Sequence, residues 1–192
     1  MRGIGMKSGI VPAFCLSLLL VAAPRPAQSQ WSDDQRSLAP YVPTPQEVVD
    51  KMLQVASVKK DDTVYDLGCG DGRIIITAAQ KFGAHAVGVE LDPELYKRTK
   101  DRIHDLKLDD RVKIIHGNLL DVDLSPANVV TLYLLTDSNT KVKPNLEKYL
   151  KPGSRVVSHD FQIMGWTPAK IDHVVRDKRN HTIYLYEVGV KK

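Results

Sequence analysis

The residues best equipped for chemistry in this 192-residue chain lie in Val64-Tyr65-Asp66-Leu67-Gly68-Cys69-Gly70-Asp71-Gly72-Arg73. Glycine at 68, 70 and 72 lets the backbone turn sharply and come close to a ligand. The spacing is G-x-G-x-G, not the G-x-G-x-x-G of pyrophosphate binders. The carboxylates of Asp66 and Asp71 would repel a polyphosphate and suit a ligand that carries an ammonium or sulfonium group at this point. Glu90 follows twenty-four residues after Asp66, at the end of the next apolar run, where a carboxylate can accept hydrogen bonds from both hydroxyls of a ribose. Ribose and cation without polyphosphate describe S-adenosylmethionine.

The elements that must position these residues alternate along the chain. Residues 63–67, 84–91, 111–116, 128–135 and 154–159 read as strands, with helices over 73–82, from 93 to about 104, and up to 150. Thr44-Pro45-Gln46-Glu47 reads as a capping box with proline at the first helical position. The helix it opens puts Val48, Val49, Met52, Leu53 and Ala56 on one side. Gly83 stops the 73–82 helix, Asp92-Pro93 caps the next, and Asp137 or Ser138 can cap the one that reaches Leu150. Residues 170–176 and 182–188 alternate apolar and polar positions about a polar turn, the pattern of an antiparallel hairpin. The expectation is an α/β fold: a doubly wound, mostly parallel seven-stranded sheet, Rossmann-like, with a C-terminal antiparallel hairpin. In such a sheet, ligands bind at the carboxyl ends of the strands.

Asp66 to Arg73, Gly88-Val89-Glu90-Leu91-Asp92 and Gly117-Asn118-Leu119-Leu120 resemble, in order, the cofactor motifs of the seven-strand, class I S-adenosylmethionine-dependent methyltransferases. The resemblance covers nearly all of residues 41–190. Tyr41-Val42-Pro43-Thr44-Pro45, Thr131-Leu132-Tyr133-Leu134-Leu135 and the 151–161 segment, which contains Ser158-His159-Asp160-Phe161, look like small prokaryotic and archaeal protein-lysine methyltransferases. Those enzymes are related to the nucleosome-core histone-lysine methyltransferase, and a mitochondrial lysine methyltransferase family has a similar pattern. The resemblance implies that Tyr41 and Thr44 lie near the methionine end of the cofactor, with Asp66, Gly68, Gly70 and Gly72 in the glycine turn that lines it. It also implies that Glu90 holds the ribose and that Asn118 and Leu119 meet the adenine. Position 118 is commonly Asp in this class; asparagine keeps a carbonyl acceptor, adds a donor and removes a charge.

Methyl transfer from a sulfonium is an in-line displacement, so the protein mainly positions a nucleophile and excludes water. A lysine nucleophile must also be neutral, which an apolar or aromatic channel favours by desolvation. Tyr133, Thr136 and Asp137 fall at the end of the fourth strand, and Ser158, His159, Phe161 and Trp166 at or beyond the end of the fifth. Together they would make an aromatic-lined acceptor site, with Tyr133 and His159 as the candidate catalytic residues and His159 as the titrating one. Plainer readings stand beside these: His159 as a structural hydrogen-bonding residue, Tyr133 as core packing, and Cys69 as a space-filler between glycines. The Asn-Pro-Pro-aromatic signature of adenine and glutamine methyltransferases is absent. No histidine spacing suggests a metal site, and none is expected.

Lysine and arginine number 27 against 23 acids, a net charge of +4. Arg2, Lys7 and Arg25 fall in residues 1–29, which contain no acid, so the remaining chain carries only +1. Lys97, Arg98, Lys100, Arg102 and Lys107 are interleaved with acids like the solvated face of a helix. Nucleic acid is therefore not the expected partner; a protein lysine or a small-molecule acceptor is. The basic start, the short apolar run and Ala27-Gln28-Ser29 read as a signal peptide over 1–29 and imply export to the periplasm or medium. An uncleaved leader acting as a membrane anchor, or a cytoplasmic protein, is the alternative. Residues 30–44 form an N-terminal arm and 45–192 the methyltransferase domain. A small-molecule N- or O-methyltransferase, or an exported binding protein that keeps the fold without turnover, remain as competing readings.

Overall fold

The computed structural model describes residues 38–189; the expected leader and the first part of the arm lie outside the described residues. In chain order the elements are α1 (Gln46–Val55), β1 (Thr63–Leu67), α2 (Arg73–Phe82), β2 (His85–Glu90), α3 (Pro93–Asp105), β3 (Val112–His116), a 3-10 turn (Leu119–Asp121), β4 (Val129–Leu132), α4 (Thr136–Tyr149), β5 (Arg155–His159), β6 (Lys170–Arg176) and β7 (Arg179–Glu187). The strands form one sheet in the order β3-β2-β1-β4-β5-β7-β6. The first five are parallel, and β7 runs antiparallel between β5 and β6. This is the doubly wound sheet with the antiparallel edge expected from the sequence. No helix among the described residues is long and apolar enough to cross a membrane.

Strand periodicity builds two cores, one on each face of the sheet. Val64, Ala86, Val129 and Val157 point to one face, where they meet Val49, Met52 and Leu53 of α1, Ile75 and Ala78 of α2, and Ile103 of α3. Tyr65, Leu67, Val130, Leu132 and Val156 point to the other, against Val142 and Leu146 of α4 with Leu124 and Tyr186. The order of strands places Asp66 of β1 between Gly88 of β2 and Thr131 of β4. The carboxyl ends of β1, β2 and β4 thus meet at one edge of the sheet.

Two expected caps are corrected. Thr44 does not cap α1: Pro45 is the capping residue, and its carbonyl accepts the amides of Val48 and Val49. Thr44 is buried, with its hydroxyl 3.4 Å from Nδ1 of His159, and Glu47 turns outward to Arg176 at 2.7 Å. Neither Asp137 nor Ser138 caps α4, which begins at Thr136 after an extended Leu135. Ser138 instead donates its hydroxyl to the Leu38 carbonyl and ties the arm to the helix. The other caps are as expected: Asp92 accepts the amides of Glu94 and Leu95, and Gly83 ends α2 in the left-handed region at φ 69°.

Candidate active site

A cavity of about 470 Å³ opens at the carboxyl ends of β1 and β2, bounded by the 38–44 arm, the 68–73 turn, Asn118, Leu119 and Tyr133. Its floor is backbone at Gly68 and Gly70, both with positive φ. A Cβ at Gly70 would come within 2.5 Å of the Tyr41 ring, which closes over the turn, so this approach exists only with glycine. Glu90 is buried and ties the first two loops together: Oε2 accepts the Gly70 amide at 2.8 Å, and Oε1 accepts the Asp92 amide at 2.9 Å. Asp66 is also buried, and its carboxylate accepts the Thr131 hydroxyl at 2.7 Å. Burial pushes the Asp66 carboxyl up to about 7; the Thr131 hydrogen bond opposes the shift, and Glu90 and Asp71 add to it.

Not every residue of the glycine motif faces the cavity. Gly72 is corrected: it lies outside the cavity lining, and a Cβ there would meet Thr99 of α3 at 2.5 Å, so it serves helix packing. Asp71 lines the cavity, but Arg73 claims its charge. Arg73 Nη2 lies 2.6 Å from Oδ2 and Arg73 Nε donates to Oδ1 at 2.8 Å, with Arg102 3.8 Å away. Burial alone would raise the Asp71 carboxyl, yet the Arg73 hydrogen bonds and charge outweigh it and hold it below its ordinary value. Asp66 and Glu90 therefore remain as the buried acids of the cavity, each held by uncharged donors. Arg73 also donates to the Thr44 carbonyl and so fastens the arm over the turn. Asn118 and Leu119 line the cavity, and Asn118 Oδ1 accepts the Leu120 amide at 3.0 Å and caps the 3-10 turn.

The expected acceptor group divides. Tyr133 lines the cavity, and its ring packs on His159 with centroids 3.9 Å apart and on Phe161 at 6.3 Å. His159 is corrected as a titrating group of the site: it is wholly buried beneath Tyr133 and does not line the cavity. Burial lowers its pKa to about 4, so the imidazole is neutral near pH 7. Ser158 donates inward to the Phe161 carbonyl. Trp166 is elsewhere, edge-on to Tyr186 at 5.7 Å with its indole N–H donating to Glu147, beside a second cavity. Cys69 is buried, and burial raises its thiol well above the ordinary range, which fits the space-filling role. Sequence reasoning missed Arg73 as a brace and Asp160, Arg179 and His181 as neighbours of His159. The hairpin register holds the last clue: Ile183 pairs with His159, so His181 lies on the same face one diagonal step away.

The sheet order, the glycine floor and two buried carboxylates with no cationic partner among the described residues fit a cationic nucleoside cofactor, and together they define a class I S-adenosylmethionine-dependent methyltransferase. Comparison with known proteins narrows the class. Residues 66–170 match the ANTKMT methyltransferase domain, and the chain belongs to that family. It is 53% identical to a protein-lysine N-methyltransferase of Saccharolobus islandicus, over 80% of this chain and 96% of that protein. It is 28% identical to a human lysine N-methyltransferase named for a subunit of ATP synthase, over 78% of this chain and 62% of the human protein. Among solved structures, a Salinibacter ruber RNA methyltransferase in complex with S-adenosyl-L-homocysteine superimposes with a TM-score of 0.74 at 42% identity, covering 79% of this chain and 96% of that one.

Proposed function

We propose that the protein transfers a methyl group from S-adenosylmethionine to the side-chain nitrogen of lysine in a protein substrate. The observation that carries this reading is the 53% identity, across nearly the whole of that relative, to a protein-lysine N-methyltransferase. When bound, the cofactor supplies an electrophilic methyl group on a sulfonium. Glu90 would hold the ribose, Asp66 the cationic methionine end beside Tyr41 and Thr44, and Asn118 with Leu119 the adenine. Tyr133, the aromatic wall beside them, would orient the lysine and strip it of water, which favours the neutral amine needed for attack.

The test incubates purified protein with methyl-labelled cofactor and, separately, a protein mixture, total RNA and a metabolite extract. Label on lysine that is lost in Gly70→Arg supports the reading. Label on RNA, the substrate class named for the Salinibacter ruber relative, or only on a small molecule, overturns it. Export through residues 1–29 stands as a separate proposal; a cytoplasmic protein that retains Met1 would overturn that one.

A further inference from the structure

Beneath Tyr133, the end of β5 and the hairpin strand β7 bring three donor atoms together. His159 Nε2 lies 2.9 Å from His181 Nδ1 and 3.4 Å from Asp160 Oδ2, and His181 Nδ1 lies 3.7 Å from the same oxygen. No spacing in the sequence announces this cluster, because residues 159–160 and 181 meet only through the strand register. We propose that His159, Asp160 and His181 form a binding site for a divalent transition-metal cation of the zinc class.

The donor set is two imidazoles and one carboxylate, a combination zinc accepts with an open fourth position. Bonds of about 2.0–2.1 Å in a tetrahedron put donor atoms about 3.3 Å apart, and the three observed separations bracket that value. The second atoms of two of the ligands, His159 and Asp160, are already held. The Thr44 hydroxyl lies 3.4 Å from His159 Nδ1, where it can accept that N–H and leave Nε2 as the free lone pair. The Thr182 amide donates to Asp160 Oδ1 at 2.8 Å and leaves Oδ2 turned toward the histidines. Both imidazoles are buried, so the site is screened from bulk water. One cation already sits on the carboxylate: Arg179 Nη2 is 2.6 Å from Asp160 Oδ2. Its side chain is 57% exposed and can withdraw into solvent, so Arg179 would act as the counter-charge that the metal displaces. A metal here would lock Thr44 of the arm, the end of β5 and the support of Tyr133 into one unit.

The experiment strips full-length protein with chelator and titrates it with Zn²⁺ by calorimetry and with Co²⁺ by visible absorption. One equivalent should bind, with the ligand-field bands of tetrahedral cobalt, and affinity should fall at least about 100-fold in His181→Ala and in Asp160→Asn. Arg179→Ala removes the competing cation together with its hydrogen bond to Tyr133 but none of the three ligands, and it should tighten zinc binding about tenfold. Absence of the cobalt bands, or zinc binding equal in wild type and His181→Ala, would overturn the site in favour of a hydrogen-bonded imidazole pair. If the ligand variants fail to fold, Arg179→Ala decides: unchanged or weaker binding also overturns it.

Discussion

Asp62 and Asp66 are both buried carboxylates at opposite ends of β1, and they are satisfied in different ways. Asp62, at the amino end, faces Arg155 at 2.7 Å and accepts the Lys59 amide at 2.7 Å; Arg155 also donates to the Ala56 and Ser57 carbonyls. Asp66, at the carboxyl end, has a threonine hydroxyl and no cation among the described residues. The first carboxylate is complete within the protein and fastens α1 to β5. The second is left unbalanced in a low-dielectric setting, a cost that folding does not recover and that a cationic ligand can. One end of the strand is built for stability, the other for binding.

The largest expected effect breaks the complete end. Arg155→Met leaves Asp62 buried without its partner and should cost about 3 kcal/mol, measured by denaturant unfolding, while cofactor affinity of the folded fraction stays unchanged. Asp66→Asn should do the reverse. Cofactor affinity by calorimetry should fall about 10- to 100-fold, while stability at pH 8 is equal or higher. If Asp66→Asn unfolds the protein and Arg155→Met abolishes binding, the division between the two ends is wrong.

The third expectation concerns pH. The Asp66 carboxyl is raised in the folded protein to about 7 from an ordinary value of 3.8. The folded state therefore holds its proton more tightly than the unfolded chain. The resulting stability is fully present below pH 4 and is lost as pH rises to about 7, with an upper limit on the order of 4 kcal/mol. A bound cation favours the carboxylate, so cofactor binding should release a proton below pH 7. Affinity should then rise about tenfold between pH 6 and pH 8. Asp66→Asn should flatten both profiles, and a wild-type affinity independent of pH would remove Asp66 from the binding site.

The same contrast explains what is legible in the sequence. The glycine turn, Glu90, the Asp92 cap and the alternation of strands and helices are local, and each announces itself through residue type and spacing. Residues whose role depends on distant partners do not. Asp71 reads as a ligand for a cation, but Arg73, two residues away, folds back on it. Gly72 reads as part of the cavity floor, yet Thr99, from the next helix, decides its role. His159 and Trp166 sit near each other in sequence, but β5 sends one inward under Tyr133 while the loop carries the other to Tyr186.

Thr44 and Glu47 give the last and smallest expectation, since they carry the strongest local cap signature in the chain. In a capping box, the Glu47 carboxylate would hold a buried helix start, and its loss would be felt in α1. In the structure it forms an exposed ion pair with Arg176, about half accessible on both sides. Such pairs contribute little because solvent and salt screen them and two long side chains must be held in place. Glu47→Gln should therefore change stability by no more than about 0.5 kcal/mol, and that change should vanish in high salt. Thr44→Val, by contrast, removes the hydroxyl beside His159 and should disturb cofactor affinity more than helix content, because Thr44 belongs to the carboxyl end of the sheet and not to the start of α1. A clear loss of helicity by circular dichroism in either variant would restore the cap.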